Sequence, residues 1–222
     1  MIVRVKSTPS TMRDATALAA GGKPHGTVVV AEEQTQGIGR HGHAWHSGPD
    51  GGLYMSMILR LAAPGPTVTM ALGLAVQQAL NEFSPDLRWP NDVMLNERKL
   101  AGIMVQAAEG ALIAGIGINV NQTSFPDELK DIATSLRIET GCEYDLDSLL
   151  DRVVAESLRY VQIDKRGILR RFEERSSYVR GKHVVVDDRV EGITAGLDRN
   201  GFLLLRTATG IETVIAGGIR PL

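Results

Sequence analysis

The chain has 222 residues, of which 43% are hydrophobic and 23% charged, and its formal net charge is -2. This composition is that of a globular protein with one large domain, or with one domain and a smaller one. The near-neutral charge argues against a general affinity for nucleic acid or an acidic membrane. The single cysteine, Cys142, excludes an intramolecular disulfide and suits a reducing compartment. We see neither a signal-peptide pattern nor a bilayer-long apolar run, and therefore expect a cytoplasmic protein.

The N-terminal third is predicted to alternate between strands and a helix. Alternation over residues 2–5 predicts a strand, and the apolar run over residues 27–31 predicts a buried one. Between them, Thr11 followed three residues later by Asp14 forms a capping-box pattern that begins a helix. Ser10 and Thr11 therefore have two interpretations. They are plain helix caps, or they are hydroxyls at a helix N-terminus that bind a small polar ligand.

A glycine-rich segment, GIGRHGHAW over residues 37–45, follows the buried strand. Glycine permits a close approach to a ligand and Arg40 adds a fixed cation, which favours a loop that closes over an anionic group. The segment also matches the dinucleotide motif G-x-G-x-x-G, but that motif opens a helix, and residues 44–52 are rich in turn formers. The loop histidines have neither a thiolate nor an acidic neighbour, so solvation is favoured over a zinc site for His41, His43 and His46.

The middle of the chain is predicted to form a strand, a helix and a turn with polar side chains. Alternation over residues 53–61 places Leu53, Met55, Met57, Leu59 and Leu61 on one face, which predicts a strand with that one face in the core. A helix should run from Thr67 to about Phe83. In the next apolar run Pro90 predicts a turn, where Asn91 and Asp92 form either an Asx turn or a polar site.

Two further strands are predicted over residues 99–106 and 111–120, with Lys99 at the start of the first. In the second strand Gly115, Gly117 and Asn119 point to one face. Two glycines on one strand face indicate a close approach, either of packed backbone or of a ligand.

The C-terminal part should begin with helices and end in strands. Asp147 is predicted to cap a helix that ends near Val161, and a second helix covers about residues 165–175. From Gly181 the hydrophobic period changes to two, and Asn200-Gly201 is a strong hairpin signal. The expected strands cover residues 184–186, 190–197, 202–207 and 212–216. We therefore predict a catalytic domain over residues 1–176 and a small β-barrel over residues 177–222.

Five short motifs together resemble those of the biotin protein ligases. Ser10-Thr11-Met12 is similar to the family's Ser-Thr-Asn/Met motif, and residues 34–45 resemble its G-R-G-R-x-G-R-x-W loop. The remaining motifs resemble K-W-P-N-D, K-[LV]-[AGS]-G-I and G-[IA]-G-[IL]-N at residues 88–92, 99–103 and 115–120. The chain departs from the pattern where Ile38 and His43 replace loop arginines and Arg88 replaces lysine.

The resemblance implies an α+β fold. The catalytic domain would be like the class II aminoacyl-tRNA synthetases, with a mixed sheet, and a small SH3-like β-barrel would follow it. It implies a biotin–[acetyl-CoA-carboxylase] ligase. This enzyme uses ATP and Mg²⁺ to convert its substrate biotin into biotinyl-5′-AMP, and then transfers biotin to a lysine of the biotin carboxyl carrier protein. The chain begins almost directly at the catalytic domain, without the helix-turn-helix domain of biotin repressors, so we expect no DNA partner. The near-neutral charge and the lack of a bilayer-long apolar run predict no membrane partner, and a homodimer is possible. Two alternatives stay open: a lipoate-type protein ligase, and a non-catalytic biotin-binding module.

The resemblance also assigns roles to individual residues. Lys99 and Arg40 would be the catalytic cations at the biotin carboxylate and the α-phosphate of ATP. Trp45 would stack on adenine, or else be a core aromatic, and Asn91 and Asn119 would bind the nucleotide. Asp92 would hold Mg²⁺. The residues that would bind biotin are Ser10, Thr11, Met12, Gln34, Gly37, Ile38, Gly39, Arg40, Lys99, Gly102 and Gly115.

Overall fold

The computed structural model describes residues 1–49, 51–62, 65 and 67–222, apart from the side chain of His41. These residues separate into two compact units, residues 1–64 with 95–155 and residues 65–94 with 156–222. The helices are α1 (Thr11–Ala20), α2 (Thr67–Ala79), α3 (Leu136–Thr140), α4 (Leu146–Tyr160) and α5 (Lys165–Arg175). The strands are β1 (Ile2–Thr8), β2 (Val28–Gln34), β3 (Leu53–Leu59), β4 (Asp86–Arg88), β5 (Asp92–Leu95), β6 (Arg98–Ala108), β7 (Ala111–Ile118), β8 (Arg180–Val186), β9 (Val190–Leu197), β10 (Leu203–Thr207), β11 (Gly210–Val214) and β12 (Ile219–Pro221).

A mixed sheet is the centre of the first unit. Its strands lie in the order β1, β2, β3, β7 and β6, with β1 and β2 parallel and the other neighbours antiparallel. Helix α1 packs on one face of this sheet, where Met12, Ala15 and Ala19 share a buried cluster with Val29 and Ile113. The predicted α+β fold with a mixed sheet is confirmed.

The prediction that β3 has only one face in the core is wrong. All seven residues of β3 are buried. Helix α1 covers the face of β3 that carries Ile58, and the residues of the opposite face, Leu53, Met55, Met57 and Leu59, are buried as well. Apolar alternation alone could not show this, because Tyr54, Ser56 and Ile58 on the second face carry mixed polarity.

Two predicted helix caps are also wrong. Ser10, not Thr11, occupies the N-cap position of α1, and its side chain makes no cap hydrogen bond. At α4 the cap is Asp145 rather than Asp147, since the Asp145 carboxylate accepts a 2.7 Å hydrogen bond from the Ser148 N–H. That hydrogen bond lowers the pKa of Asp145.

The second unit contains a five-stranded antiparallel sheet in the order β11, β10, β9, β8 and β12. The four predicted C-terminal strands are present, and β12 is a fifth that is too short for a periodic pattern. In the same unit β4 and β5 form a hairpin. Trp89 lies between these two strands, and its Nε1 donates a 2.9 Å hydrogen bond to the Gly201 carbonyl. No helix in the described part of the chain is long and apolar enough to span a bilayer.

Candidate functional site

Glycines line the face of the first-unit sheet beside the start of α1. A Cβ atom on Gly115 would lie 2.7 Å from the Met12 sulfur. A Cβ on Gly117 would lie 2.5 Å from Trp45 Nε1, and one on Gly102 would lie 2.9 Å from Trp45 Cζ3. The predicted close approach to this strand face is therefore present, but it is made by the side chains of Met12 and Trp45 rather than by packed backbone. The glycines are needed because any side chain there would displace the thioether or the indole.

Lys99 stands next to the same indole. Its Nζ lies 5.3 Å from the centroid of the Trp45 ring, within the range of a cation–π interaction. The backbone of Lys99 is fixed, because its N–H donates to the Ile132 carbonyl at 2.8 Å and its carbonyl accepts from the Thr134 N–H at 3.0 Å. Lys99 and Trp45, which the sequence assigned to separate roles, are thus brought together.

A buried polar cluster lies at the N-terminus of α1. Gln34 Oε1 accepts hydrogen bonds from the Thr11 N–H at 2.9 Å and from Thr11 Oγ1 at 3.0 Å. Thr11 Oγ1 also contacts Ser56 Oγ at 2.8 Å. Ser10 Oγ is buried without a hydrogen-bond partner among the described residues. Leaving a buried hydroxyl unpaired costs about 1–3 kcal/mol. This arrangement favours the ligand interpretation of Ser10 and Thr11 over helix capping.

Sequence reasoning missed two members of this cluster, Ser47 and Ser56. Ser56 Oγ contacts Thr11, and Ser47 Oγ accepts a 2.9 Å hydrogen bond from Gln34 Nε2. The signal for Ser56 was present, because it is a small hydroxyl residue inside an otherwise largely apolar, buried strand. Nothing in the turn-rich segment around Ser47 distinguished it from an ordinary loop serine.

The glycine loop closes on itself as a small hairpin. Ile38 and Ala44 form an isolated antiparallel bridge, and Arg40 begins a one-turn 3₁₀ helix at the tip. The Gly39 N–H donates to the His43 carbonyl at 2.7 Å. The Trp45 N–H donates to the Gly37 carbonyl at 2.9 Å. A Cβ on Gly37 would lie 2.4 Å from the Trp45 carbonyl oxygen, which explains the glycine there.

The sequence made predictions about Ile38 and about the three histidines of the loop. Ile38, which replaces a loop arginine, is 43% exposed. The side chain of His41 lies outside the described residues, and the described ones contain no group of three or more His, Cys, Asp or Glu side chains that could hold a metal ion.

The residues expected at the nucleotide are less clearly placed. Asn119 is buried, and its Nδ2 donates to the Thr134 carbonyl at 2.9 Å and to the Lys99 carbonyl at 3.4 Å. Its amide nitrogen therefore supports the Lys99 segment. In the second unit, Arg88 Nη2 lies 2.7 Å from Asp92 Oδ2, and Asn91 beside them is partly buried. The ligand roles of Asn91, Asp92 and Asn119 stay predictions.

A charged network around Glu139 joins the residues just before Lys99 to the segment that pairs with Lys99. The Glu139 carboxylate accepts hydrogen bonds from Thr134, Asn96 and Arg98. Burial raises the pKa of Glu139, but the hydrogen bonds from Thr134 and Asn96, with the charge of Arg98, outweigh burial and leave the pKa lowered. Glu139 is therefore a structural anion near the Lys99 segment rather than a proton donor.

The mixed sheet, its glycine-lined face and the buried polar cluster together define an α+β protein with a candidate site for a small, partly polar molecule. The chain belongs to the biotin/lipoate A/B protein ligase family, whose model matches residues 4–122. Residues 181–219 match the biotin protein ligase C terminal domain.

Individual relatives agree with this assignment. The bifunctional ligase/repressor BirA of Bacillus subtilis is 37% identical over 95% of this chain and 70% of its own length. The biotin--[acetyl-CoA-carboxylase] ligase of Mycobacterium tuberculosis is 32% identical over 97% of this chain and 86% of its own. The structure of a biotin protein ligase from Aquifex aeolicus in complex with biotin and ATP is 31% identical, has a TM-score of 0.88, and matches over 100% of this chain and 99% of that one.

Proposed function

We propose that this protein is a biotin–[acetyl-CoA-carboxylase] ligase. It would join the carboxylate of biotin to the α-phosphate of ATP, release pyrophosphate, and transfer biotin from biotinyl-5′-AMP to a lysine of a biotin carboxyl carrier protein. The observation that carries the proposal is the buried cluster of Ser10, Thr11, Gln34 and Ser56 beside the glycine-lined face. Such a cluster suits a small polar head group on an otherwise apolar ligand.

The chemistry asks little of the protein beyond placement and charge. A carboxylate attacks as the anion, so no side chain has to remove a proton in the first step. The developing charge on the α-phosphate needs fixed cations. Lys99, held by its backbone and set beside Trp45, supplies one cation, and Arg40 at the loop tip supplies another. In the second step the leaving group is AMP, and the carrier lysine must reach the anhydride as the neutral amine.

Mg²⁺ would come with the nucleotide. The resemblance assigns the carboxylate of Asp92 to it, and a single carboxylate fits a cation that takes most of its remaining ligands from phosphate oxygens and water. Arg88 Nη2 lies 2.7 Å from Asp92 Oδ2, so the guanidinium would have to leave this carboxylate or bind it together with the cation. When bound, Mg²⁺ would neutralise phosphate charge. Trp45 would stack on adenine, with Asn91 and Asn119 as further nucleotide contacts.

The family resemblance supports several finer assignments that belong to the same proposal. The catalytic domain would be residues 1–176 with a class II aminoacyl-tRNA synthetase-like fold, followed by an SH3-like barrel over residues 177–222. The protein would act in the cytoplasm on the carrier protein, without a DNA or membrane partner, and would be free to form a homodimer.

Pyrophosphate exchange and carrier labelling test the proposal. The purified protein with labelled pyrophosphate and ATP should show exchange that depends on biotin and not on lipoate. Addition of an apo carrier domain should then give a biotinylated product. Exchange with lipoate in place of biotin would support the lipoate-type alternative. Biotin binding without exchange or transfer would support a binding module and overturn the ligase.

A further inference from the structure

One backbone N–H fixes the direction of the hydrogen bonds in the polar cluster. The Thr11 N–H lies 2.9 Å from one end of the Gln34 carboxamide, and a backbone N–H can only donate, so that end is the oxygen. Thr11 Oγ1, 3.0 Å from the same oxygen, must also donate to it. This uses the only proton of the Thr11 hydroxyl. Ser56 Oγ, 2.8 Å from Thr11 Oγ1, must therefore be the donor in that contact.

The other end of the Gln34 carboxamide is consequently the NH₂ group. It lies 2.9 Å from Ser47 Oγ, which must accept. Ser47 then uses its own proton to donate to the Trp45 carbonyl at 3.1 Å. The donors thus run in one direction, from Ser56 through Thr11, Gln34 and Ser47 to Trp45.

This order determines what the cluster can still offer a ligand. The hydroxyls of Ser56 and Thr11 have spent their protons and keep only acceptor lone pairs, whereas Gln34 Nε2 keeps one N–H and the Ser10 hydroxyl keeps both its proton and its lone pairs. The site is therefore matched to a group that carries an N–H donor beside a carbonyl acceptor. A cyclic urea has both, and a dithiolane ring has neither. This step rests on the proposed function.

We propose that Ser47 is a positioning residue for this recognition. Its hydroxyl is buried and holds the first N–H of Gln34, so that the second N–H keeps a fixed direction. Without the hydroxyl, the first N–H loses its acceptor inside the protein, and the carboxamide turns to find another. Ser47 also ties Gln34 to the backbone of Trp45, which joins the head-group cluster to the stem of the glycine loop.

Calorimetric titration of the full chain tests this role with two probes. One is biotin, and the other is a biotin analogue whose ureido oxygen is replaced by sulfur, a weak acceptor. In Ser47→Ala we expect biotin to bind about tenfold more weakly, the net worth of roughly one hydrogen bond. The sulfur analogue has little to lose from the misplaced N–H and should weaken by less than about threefold. The KM for ATP in pyrophosphate exchange should stay within about twofold of wild type.

Thr27→Val is the matched control. The Thr27 hydroxyl is buried like that of Ser47 but has no hydrogen-bond partner within the described structure, so its loss should change neither affinity. Ser47→Cys keeps a weak acceptor of similar size and should bind biotin with intermediate affinity, which provides a second test if Ser47→Ala folds poorly.

Two results would overturn the positioning role. One is wild-type biotin affinity in a folded Ser47→Ala protein. The other is an equal loss for biotin and for the sulfur analogue, which is what general damage to the site would produce. Because these readouts are binding constants, they are separate from the proposed function, which fails instead if the wild type binds biotin but shows no biotin-dependent exchange.

Discussion

Gly117→Ala tests whether the close contact between this glycine and the Trp45 indole is needed for activity. The added methyl carbon would lie 2.5 Å from Trp45 Nε1 and Cε2, and 2.8 Å from Cζ2. Ordinary carbon contacts need about 3.5–4.0 Å, so the indole must move away from the sheet by roughly 1 Å. Such overpacking typically costs about 1–3 kcal/mol. The movement would also break the 5.3 Å contact between the indole and Lys99 Nζ.

The expected result is a folded protein that makes the adenylate slowly. A displacement of about 1 Å at reacting groups can lower the rate about 100-fold, and we expect a loss of that order in biotin-dependent pyrophosphate exchange. Tryptophan fluorescence reports the displacement directly. Trp45 should become more solvated, while Trp89, which is buried in the second unit and bonded to the Gly201 carbonyl, should not change.

Gly21→Ala is the control for this experiment. A Cβ on Gly21 would meet its nearest described neighbours at 3.5 Å, an ordinary contact, so this variant should behave as wild type. Adding Gly117→Ala to Trp45→Ala should lower the exchange rate little further, because Gly117→Ala acts by displacing the indole that Trp45→Ala has already removed. An exchange rate within about threefold of wild type, together with unchanged Trp45 emission, would refute the argument.

Three other predictions follow from the site and its surroundings. Lys99→Ala should fold but lose on the order of 10²-fold or more in kcat for adenylate formation, since it removes a cation needed in the transition state; wild-type exchange would end that assignment. Trypsin should cut after Arg40 in the ligand-free protein and much more slowly with biotin and ATP, because an anion held by the Arg40 guanidinium and the loop amides would order the loop tip; equal cleavage rates would contradict the closing role of the loop. Glu139→Gln should lower the free energy of unfolding by roughly 2 kcal/mol at pH 7, the worth of hydrogen bonds to a charged group. Because the folded pKa of Glu139 is lowered, this contribution is present above the unfolded pKa of about 4.3 and disappears as the pH falls through the folded value. In denaturant melts of both proteins the difference in the free energy of unfolding should therefore be full at pH 7 and shrink as the pH falls below about 4.3, and a difference that grows with falling pH would contradict the assignment.

The sequence predicted the elements of the first unit well because their hydrophobic periods are strong and local. It also predicted a close approach to one strand face, since glycines on one strand face cannot be explained by secondary structure alone. It did not predict what fills the space above Gly115 and Gly117. That depends on Met12 and Trp45, which are far apart from the glycines in sequence and meet them only through the sheet.

The polar cluster shows a different limit of sequence reasoning. Thr11 has the spacing of a helix cap, yet its hydroxyl is turned toward Gln34 and Ser56. Local pattern cannot distinguish these outcomes, because the competing acceptor lies 23 residues away. The prediction of the N-cap of α4 was wrong for a simpler reason. Asp145 and Asp147 are two residues apart and both suit an N-cap, and only the backbone geometry selects Asp145.

The order in which the two units appear along the chain has a consequence for synthesis on the ribosome. Helix α2 belongs to the second unit, and ten of its residues are buried. Its partner in that unit is α5, whose last carbonyl, that of Arg175, accepts a 3.1 Å hydrogen bond from Gln77 Nε2. About 100 residues separate the ends of the two helices. At a translation rate of about 5–20 residues per second, α2 must wait roughly 5–20 s for its partner.

During that interval the β4–β5 segment, where the Pro85 carbonyl accepts a 2.8 Å hydrogen bond from Gln77 Nε2, is available to the helix, but the apolar surface that α5 covers is not. We expect nascent chains that stop before residue 165 to be retained by chaperones or to aggregate, whereas chains that include α5 should be released.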